Sequence, residues 1–589
     1  MDDVFERLRQ RKIVQWALAY LAAAFALIQM FDLVGQRFGW PDWIARATIV
    51  AAAVGFVIVL VLAWYHGERG EQRVSGVELF IVAVLLAIGG GLLWRVAHAP
   101  NDAAPVAAAT PATAPANSGA LADAKSIAVL PLVNTSGDPS NEYFSDGLSE
   151  ELISVLARIP DLKIIGRTSS FRFKNTNDDS RTIGTRLGVA NLLEGSVRKQ
   201  GERVRIAVDL IAAVDGHQLW SATYDRELKD IFAVQSEIAT AVVEQLKVKL
   251  LGGGTAVQAP AREPSLPAYT AMLQGAHLFP KFNEPDLRKA LIYFEEATRL
   301  DPSYALAWAQ LASGWRALAA LYLSEPAEIA DYYQRAESAA GTALKLAPDL
   351  ADAHLALGYI KLTARLDFAG AEAEFRRANE LAPGDARTVD ALGYMLAAQG
   401  RLDEAAATAR RAIQLDPLAI PPHFNLARIE TVAGQLDDAE GILRKTIELQ
   451  PSASHAYAYL TSIDLMRGDP AAARRDADLE QPGFWRDYAD ALARQREGNR
   501  ATADAALKTM IDKYAYGGPF QIAVVYALRK EPDRVFEWLD KAWDAKDSGI
   551  TQLFVTPFLA DYRDDPRFVA IAAKLGVDST RAGRGAASP

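Results

Sequence analysis

"GDARTVDALGYMLAAQGRLDEAAATARRAIQLDP", residues 384–417, decides the fold. Apolar residues recur through it at intervals of three and four in two runs broken at "QGR", the pattern of two amphipathic helices joined by a tight turn. Its closing proline belongs to a series: Pro302, Pro348, Pro383, Pro417 and Pro451 lie 46, 35, 34 and 34 residues apart, each ending an "LDP", "LAP" or "LQP". Gly393, Ala405 and Ala412 stand 24, 12 and 5 residues before Pro417, and Gly358, Ala371 and Ala378 stand 25, 12 and 5 before Pro383. Ala427 and Ala439 stand 24 and 12 before Pro451. Small residues at fixed offsets let paired helices cross closely, and a fixed period stacks each pair on the next to bury one continuous core.

A 34-residue period closed by proline resembles the tetratricopeptide repeat (TPR). On that resemblance residues 265–548 form an all-α solenoid of seven to eight repeats, the second longer by about 12 residues. Residues 549–577 are expected to cap it and 578–589 to form a disordered tail. The first helix of each repeat would line a concave groove that includes Tyr359, Arg387, Asp390, Tyr394, Phe424 and Arg428. Aromatic and Arg side chains on such a face suit a protein or peptide partner.

Residues 125–250 read differently. "IAVLPLV" is a short apolar strand, and Phe144, Leu148, Leu152, Val155 and Leu156 keep helical spacing. "LKIIGRTSSFRF" reads as a second strand region, and "SRTIGTRLGV" as a short helix capped by Ser180. In "RVRIAVDLIAA", Val204, Ile206, Val208 and Leu210 alternate with Arg203, Arg205 and Asp209, which predicts an antiparallel meander with one buried face. Val234, Ile238, Val242 and Leu246 form the stripe of a closing helix. The stretches "SIAVLPLVNTSGD", "EYFSDGLSEELISVLARIPDLKIIGRTSSFRFK", "IGTRLGVANLLEGSVRKQGERVRIAVDLI" and "HQLWSATYDREL" together resemble the TolB-like α/β domain of bacterial TolB-like/TPR proteins. A linker, 251–264, joins it to the repeats.

Half the residues are apolar, and the excess lies in the first hundred. Segments 13–34, 44–65 and 77–96 approach the roughly 20 apolar residues of a bilayer span, so residues 1–97 are expected to form a three-helix transmembrane anchor. Arg7, Arg9, Arg11, Lys12, Arg69 and Arg73 fall on one side of those spans. Positive-inside counting then puts the N-terminus in the bacterial cytoplasm, the spans in the inner membrane, and residues after about 98 in the periplasm. "FERLRQRKIVQWALAYL" is similar to the anchor found ahead of TolB-like domains. In members of that family a cytoplasmic cyclase, kinase or winged-helix domain can precede it. With about a dozen residues before the first span, no such effector is expected here. The Ala/Pro-rich 98–124 reads as an extended linker.

The net charge of −10 and the lack of a basic stripe argue against nucleic acid as a partner. The absence of cysteine excludes disulfides, thiolate ligands and cysteine nucleophiles. HExxH, Walker A, GxSxG and GxGxxG motifs are absent, and no cofactor is expected. His354, His423 and His455 fall near successive repeat starts but at different offsets, which does not suit zinc geometry. Asp138, Glu142, Asp146, Glu150 and Glu151 are the sharpest candidates for acid–base chemistry. They are expected instead to be exposed acids in the first turns of a helix, where the dipole favours their charge. The sequence thus points to a non-enzymatic scaffold in an envelope assembly, secretion or signalling complex. A transmembrane sensor acting on a separate cytoplasmic effector is the first alternative, and an envelope hydrolase using the acidic loop is the second.

Overall fold

The computed structural model describes residues 123–579 apart from Pro160, 247–261, Phe282, 323–324 and 452–454. A small sheet domain comes first. Its elements are β1 (Ser126–Val129), β2 (Val133–Asn134), α1 (Glu142–Leu156), β3 (Lys163–Ile164), α2 (Arg167–Phe171), α3 (Ser180–Leu187), β4 (Asn191–Gln200), β5 (Arg203–Ala212), β6 (Gln218–Glu227) and α4 (Ile231–Gln245). The strand order is β3-β1-β4-β5-β6, with β2 pairing alongside β4. β1 is parallel to β3 and β4, while β4, β5 and β6 form an antiparallel meander. Gly201 and Gly216, at φ of +59° and +71°, make the two hairpin turns, where a residue with a Cβ is strained. Val204, Ile206, Val208 and Leu210 are all buried beneath α1 and α4, as their alternation predicts.

Two local expectations need correction. Asp179, not Ser180, caps α3, its carboxylate accepting from the Thr182 N–H at 2.7 Å. The strand read through 162–173 stops after Ile164, because Gly166 donates its N–H to the Leu415 carbonyl of the solenoid at 2.7 Å and the chain turns there into α2. A tertiary contact, invisible in a local window, overrides the β-propensity of the segment.

Among the described residues, sixteen further helices then follow in eight antiparallel pairs: α5 (Leu266–Leu278) with α6 (Glu284–Leu300), α7 (Ala305–Leu321) with α8 (Pro326–Leu346), α9 (Ala351–Arg365) with α10 (Phe368–Leu381), and α11 (Ala386–Ala398) with α12 (Leu402–Leu415). The second four pairs are α13 (Ile420–Val432) with α14 (Leu436–Leu449), α15 (Ala456–Met466) with α16 (Pro470–Leu479), α17 (Phe484–Arg494) with α18 (Arg500–Tyr514), and α19 (Pro519–Leu528) with α20 (Pro532–Asp544). The small residues are where the helices meet. A Cβ on Gly358 would lie 2.5 Å from the Phe375 ring, and one on Gly275 would lie 2.4 Å from the Phe294 ring. Two 3₁₀ segments, Ser548–Gln552 and Pro557–Tyr562, and α21 (Pro566–Lys574) close the chain.

The fold class expected from the sequence is corrected in one respect. The described residues are mostly a helical repeat solenoid with one small sheet, and among them no helix is long and apolar enough to cross a membrane. The three-helix transmembrane anchor therefore has no support and is withdrawn from the fold class. Its segments, 13–34, 44–65 and 77–96, lie outside the described residues, as do residues 98–122 of the first linker and 247–261.

The sheet domain sits directly on the solenoid. Gly384 donates its N–H to the Ala157 carbonyl at 3.0 Å, and Arg172 reaches the Leu449 carbonyl at 3.1 Å. Between them Asp416, 5% exposed, accepts the Ser169 N–H at 2.8 Å and the Ser169 hydroxyl, whose oxygen accepts from the Leu418 N–H at 2.8 Å. Asp416 is the middle residue of an "LDP", so a residue that punctuates the repeat also caps α2 of another domain. On the other flank α1 lies against α5 so closely that a Cβ on Gly147 would fall 2.5 Å from a Leu273 methyl.

Candidate functional site

Of the five acids in the loop and helix, Asp138 is exposed and accepts from the Ser140 N–H at 2.8 Å, and Glu142 pairs with Lys174 at 2.5 Å. α1 begins at Glu142, so Asp146, Glu150 and Glu151 lie within it rather than in exposed first-turn positions. Asp146, 4% exposed, is gripped by Lys174 Nζ at 2.5 Å and His277 Nδ1 at 3.0 Å. Burial opposes its charge, but the hydrogen bonds from His277 and Lys174, with their charges, hold its carboxyl below the usual range. Glu150 pairs with Arg167 at 2.9 Å. Glu151 accepts from the Tyr269 hydroxyl of α5 at 2.9 Å and from the Gln235 amide, and burial pushes its carboxyl up to about 7. The expectation of solvated acids is thus corrected for Asp146 and Glu151: packing of α4 and α5 over α1 buries Asp146 and half-buries Glu151.

The six residues read from the repeat register fall into three situations. Tyr359 and Tyr394 lie on α9 and α11, half-buried on the inner face. Arg316 of α7 stands 5.1 Å over the Tyr359 ring, and Arg428 of α13 stands 5.5 Å over the Tyr394 ring. Arg316, Tyr359, Tyr394 and Arg428 are 43, 35 and 34 residues apart, one per repeat, so they form a single row. Asp390 accepts from Asn425 at 2.8 Å, and the Asn425 carbonyl accepts from Arg428 Nη2 at 2.7 Å. Burial pushes the Asp390 carboxyl up to about 6, and the Tyr359 phenol well above its ordinary range.

Arg387 is set apart, its guanidinium held by Asp385 at 2.6 Å and Asp352 at 3.1 Å near the sheet domain. Phe424 is buried and packs with Ala427, Leu443 and Leu460. Its ring is 4.4 Å from His455, which in turn is 4.9 Å from Trp485. Burial, with the charge of Arg428, pushes the His455 imidazole down to about 4. His354 meets Glu374 at 2.7 Å and His423 the Ala419 carbonyl at 2.7 Å, so the three histidines share no ligand. Among the described residues there is no group of three side chains that could hold a metal.

A tetratricopeptide repeat model matches residues 396–463, the end of α11 through most of α15. Residues 396–463 thus match tetratricopeptide repeats. Solved structures similar to the chain include that of Pseudomonas aeruginosa PilF, 20% identical, covering 36% of this chain and 93% of that one at a TM-score of 0.29. PilW, a type IV pilus biogenesis factor, is 18% identical, with 44% of this chain and 99% of that one covered at a TM-score of 0.28. A protein of Rhizobium meliloti (strain 1021) named "Putative adenylate cyclase 3" is 38% identical over 186 residues, 32% of this chain and 32% of that protein. The chain thus spans about a third of the length of the curated relative it matches.

The face that carries this row also holds residues that the repeat register did not reveal. Trp485, Tyr459 and His455 form an aromatic wall, and the C-terminal segment returns along the same face. The Thr551 hydroxyl meets the Tyr394 hydroxyl at 2.5 Å, and Val555 packs with Leu396, Leu426 and Ile429. Ile550, Leu553, Phe554 and Leu559 are fully buried. The clusters "HAYAYL" and "FWRDY" carried the signal for the aromatic wall. Residues 549–577 read from the sequence only as a cap on the last pair, and no local pattern announced their return along this face.

Proposed function

We propose that this protein is a non-enzymatic scaffold whose tetratricopeptide groove binds a protein or peptide partner within an envelope assembly, secretion or signalling complex. The observation that carries the reading is the row Arg316, Tyr359, Tyr394 and Arg428, which presents cations stacked on aromatic rings along one face of the stacked repeats. Such groups anchor extended chains through ring contact and hydrogen bonding. The sheet domain, read as a TolB-like module, adds a second recognition surface held at a fixed place on the solenoid. The acids that a hydrolase would need are engaged by Lys174, His277, Arg167 and Tyr269, which speaks against the acidic loop as a catalytic centre.

The test is site-specific photo-crosslinking in cells, with a photoreactive residue at Tyr359 inside the groove and at Arg376 on an outer helix. A defined protein captured at the inner position and not at the outer one is the expected result. Identical capture profiles at both positions would remove the groove from the account.

A further inference from the structure

The meander of β4, β5 and β6 has two faces, and only one is packed along its whole length. Leu193, Val197, Val204 and Ile206 lie under α1 and α4. On the other face α3 covers the end at Leu192 and Ile211, and from Glu194 onward the strands are open to solvent. The register sets this open stretch in rows across the strands: Glu194 opposite Asp209, then Ser196 opposite Ala207, then Arg198 opposite Arg205. β2 and β6 extend the middle row, with Val133 beside Ser196 and Thr223 beside Ala207.

Two of the rows set like charges directly against each other, an arrangement that destabilises a sheet. Burial and the charge of Asp209 raise the Glu194 carboxyl, and neither acid has an ion-pair partner among the described residues. Arg198 has none there either, its Nε–H reaching the Thr135 carbonyl at 3.3 Å. Arg205 shares Asp225 with Arg203, at 2.7 and 2.9 Å. The face therefore carries an acidic row and a basic row four residues apart along the strands, about 13 Å. Small residues lie between them, and Val133, 56% exposed, stands at the end of the middle row.

We propose that this face pairs with the same face of a second copy of the chain, about a two-fold axis lying along the row Val133, Ser196, Ala207 and Thr223. A half-turn about that line inverts the face and reverses the strands, so Glu194 of each copy lies over Arg198 of the other, and Asp209 over Arg205. Each like-charged row then meets its opposite, and every contact occurs twice, as an isologous interface requires. The small residues of the middle row let two sheets approach to the roughly 10 Å of face-to-face packing, a gap that Glu and Arg side chains span together. A partner of a single charge sign meets repulsion at one row or the other, whereas the face itself supplies both signs at the matching spacing. The open stretch covers about 15 Å by 20 Å per copy, below the roughly 800 Å² per partner of a standard interface, so the pairing is weak and salt-dependent.

The test is sedimentation velocity of the full chain over a concentration series at low and high salt, for the wild type, Glu194→Arg, Arg198→Glu and the double variant. A monomer–dimer equilibrium is expected in the wild type, weakened about tenfold or more by high salt and by either single variant, which sets like charges across the axis. An equal mixture of the two single variants regains dimer at wild-type strength, and so does the double variant, because each reversed charge again faces its complement. A variant that had merely lost its fold is not rescued by mixing. A wild type that stays monomeric throughout, single variants that associate as well as the wild type, or a mixture no more dimeric than its components overturns the interface. The groove reading is tested separately, since this face belongs to the sheet domain.

Discussion

Replacing Glu151 with Gln removes one proton-binding group from the seam between the sheet domain and the solenoid, and the size of its effect can be worked out. The Glu151 carboxyl moves from an ordinary 4.5 up to about 7 on folding, because burial disfavours its charge more than Tyr269 and Gln235 stabilise it. A raised carboxyl pKa means that the folded chain holds the proton more tightly than the unfolded one. The stability it contributes is therefore complete below pH 4.5 and is lost as pH rises through about 7. At 1.36 kcal/mol per unit the whole span is about 3 kcal/mol, of which about 2.5 kcal/mol falls between pH 5 and pH 8. Urea denaturation followed by circular dichroism at those two pH values measures it. With an m-value of about 1–3 kcal/mol/M, the wild-type midpoint of the transition that includes the sheet domain drops by roughly 1–2 M on going to pH 8. In Glu151→Gln, which keeps the hydrogen-bonding shape without the proton, that drop shrinks by the Glu151 share. Asp416, also raised by burial, adds a change of the same sign to both proteins and cancels in the comparison. Equal pH dependence in the two proteins would refute the placement of a neutral acid at this seam.

Other substitutions probe the same architecture. Asp416→Ala strips α2 of its cap and leaves the Ser169 N–H and hydroxyl unmet, at about 1–3 kcal/mol, and limited proteolysis will cut near residues 166–174 sooner. Gly384→Ala places a Cβ 2.8 Å from the Ala157 carbonyl, and hydrogen exchange at the Gly166 and Gly384 turns will rise if that contact holds the domain in place. Phe375→Ala opens a cavity beneath Gly358 in the core of the third helix pair and will lower stability by about 3–5 kcal/mol in thermal melts. Phe554→Ala, in the returning segment, carries a cost of similar size, and quenching of Trp485 fluorescence by acrylamide will increase as the groove loses its inner wall.

What could be read in the sequence was whatever depends on neighbours close along the chain. The offsets of Gly358, Ala371 and Ala378 from Pro383 specify helix pairing directly, since a Cβ at Gly358 would strike Phe375 within the same repeat. The alternation in Val204–Leu210 likewise marks the buried face of β5, because strand periodicity is a local property. The groove was half legible. The register put Tyr359, Tyr394 and Arg428 in one row, but gave no sign that Phe424 is buried against His455 or that Thr551 lies against Tyr394. Those facts depend on residues tens to more than a hundred positions away. For the same reason Asp146 and Glu151 read as solvent acids: Lys174, His277 and Tyr269, which bury and bind them, come from α5 and the segment after α2.

The sheet domain's seat changes how the repeat array bears load. A free tetratricopeptide stack behaves like a spring, in which each turn yields to a pull in proportion to its own interface with the next. Here one rigid body is stapled to α5 through Tyr269 and His277, and to the turns closing the third, fourth and fifth pairs through Gly384, Asp416 and Leu449. Those staples lock the coil at one pitch from its first pair to its fifth. Extension must break them together, so the first five pairs resist as a beam. The returning segment ties the eighth pair back to the fourth and fifth through Thr551 and Val555, so the sixth and seventh pairs carry the remaining compliance.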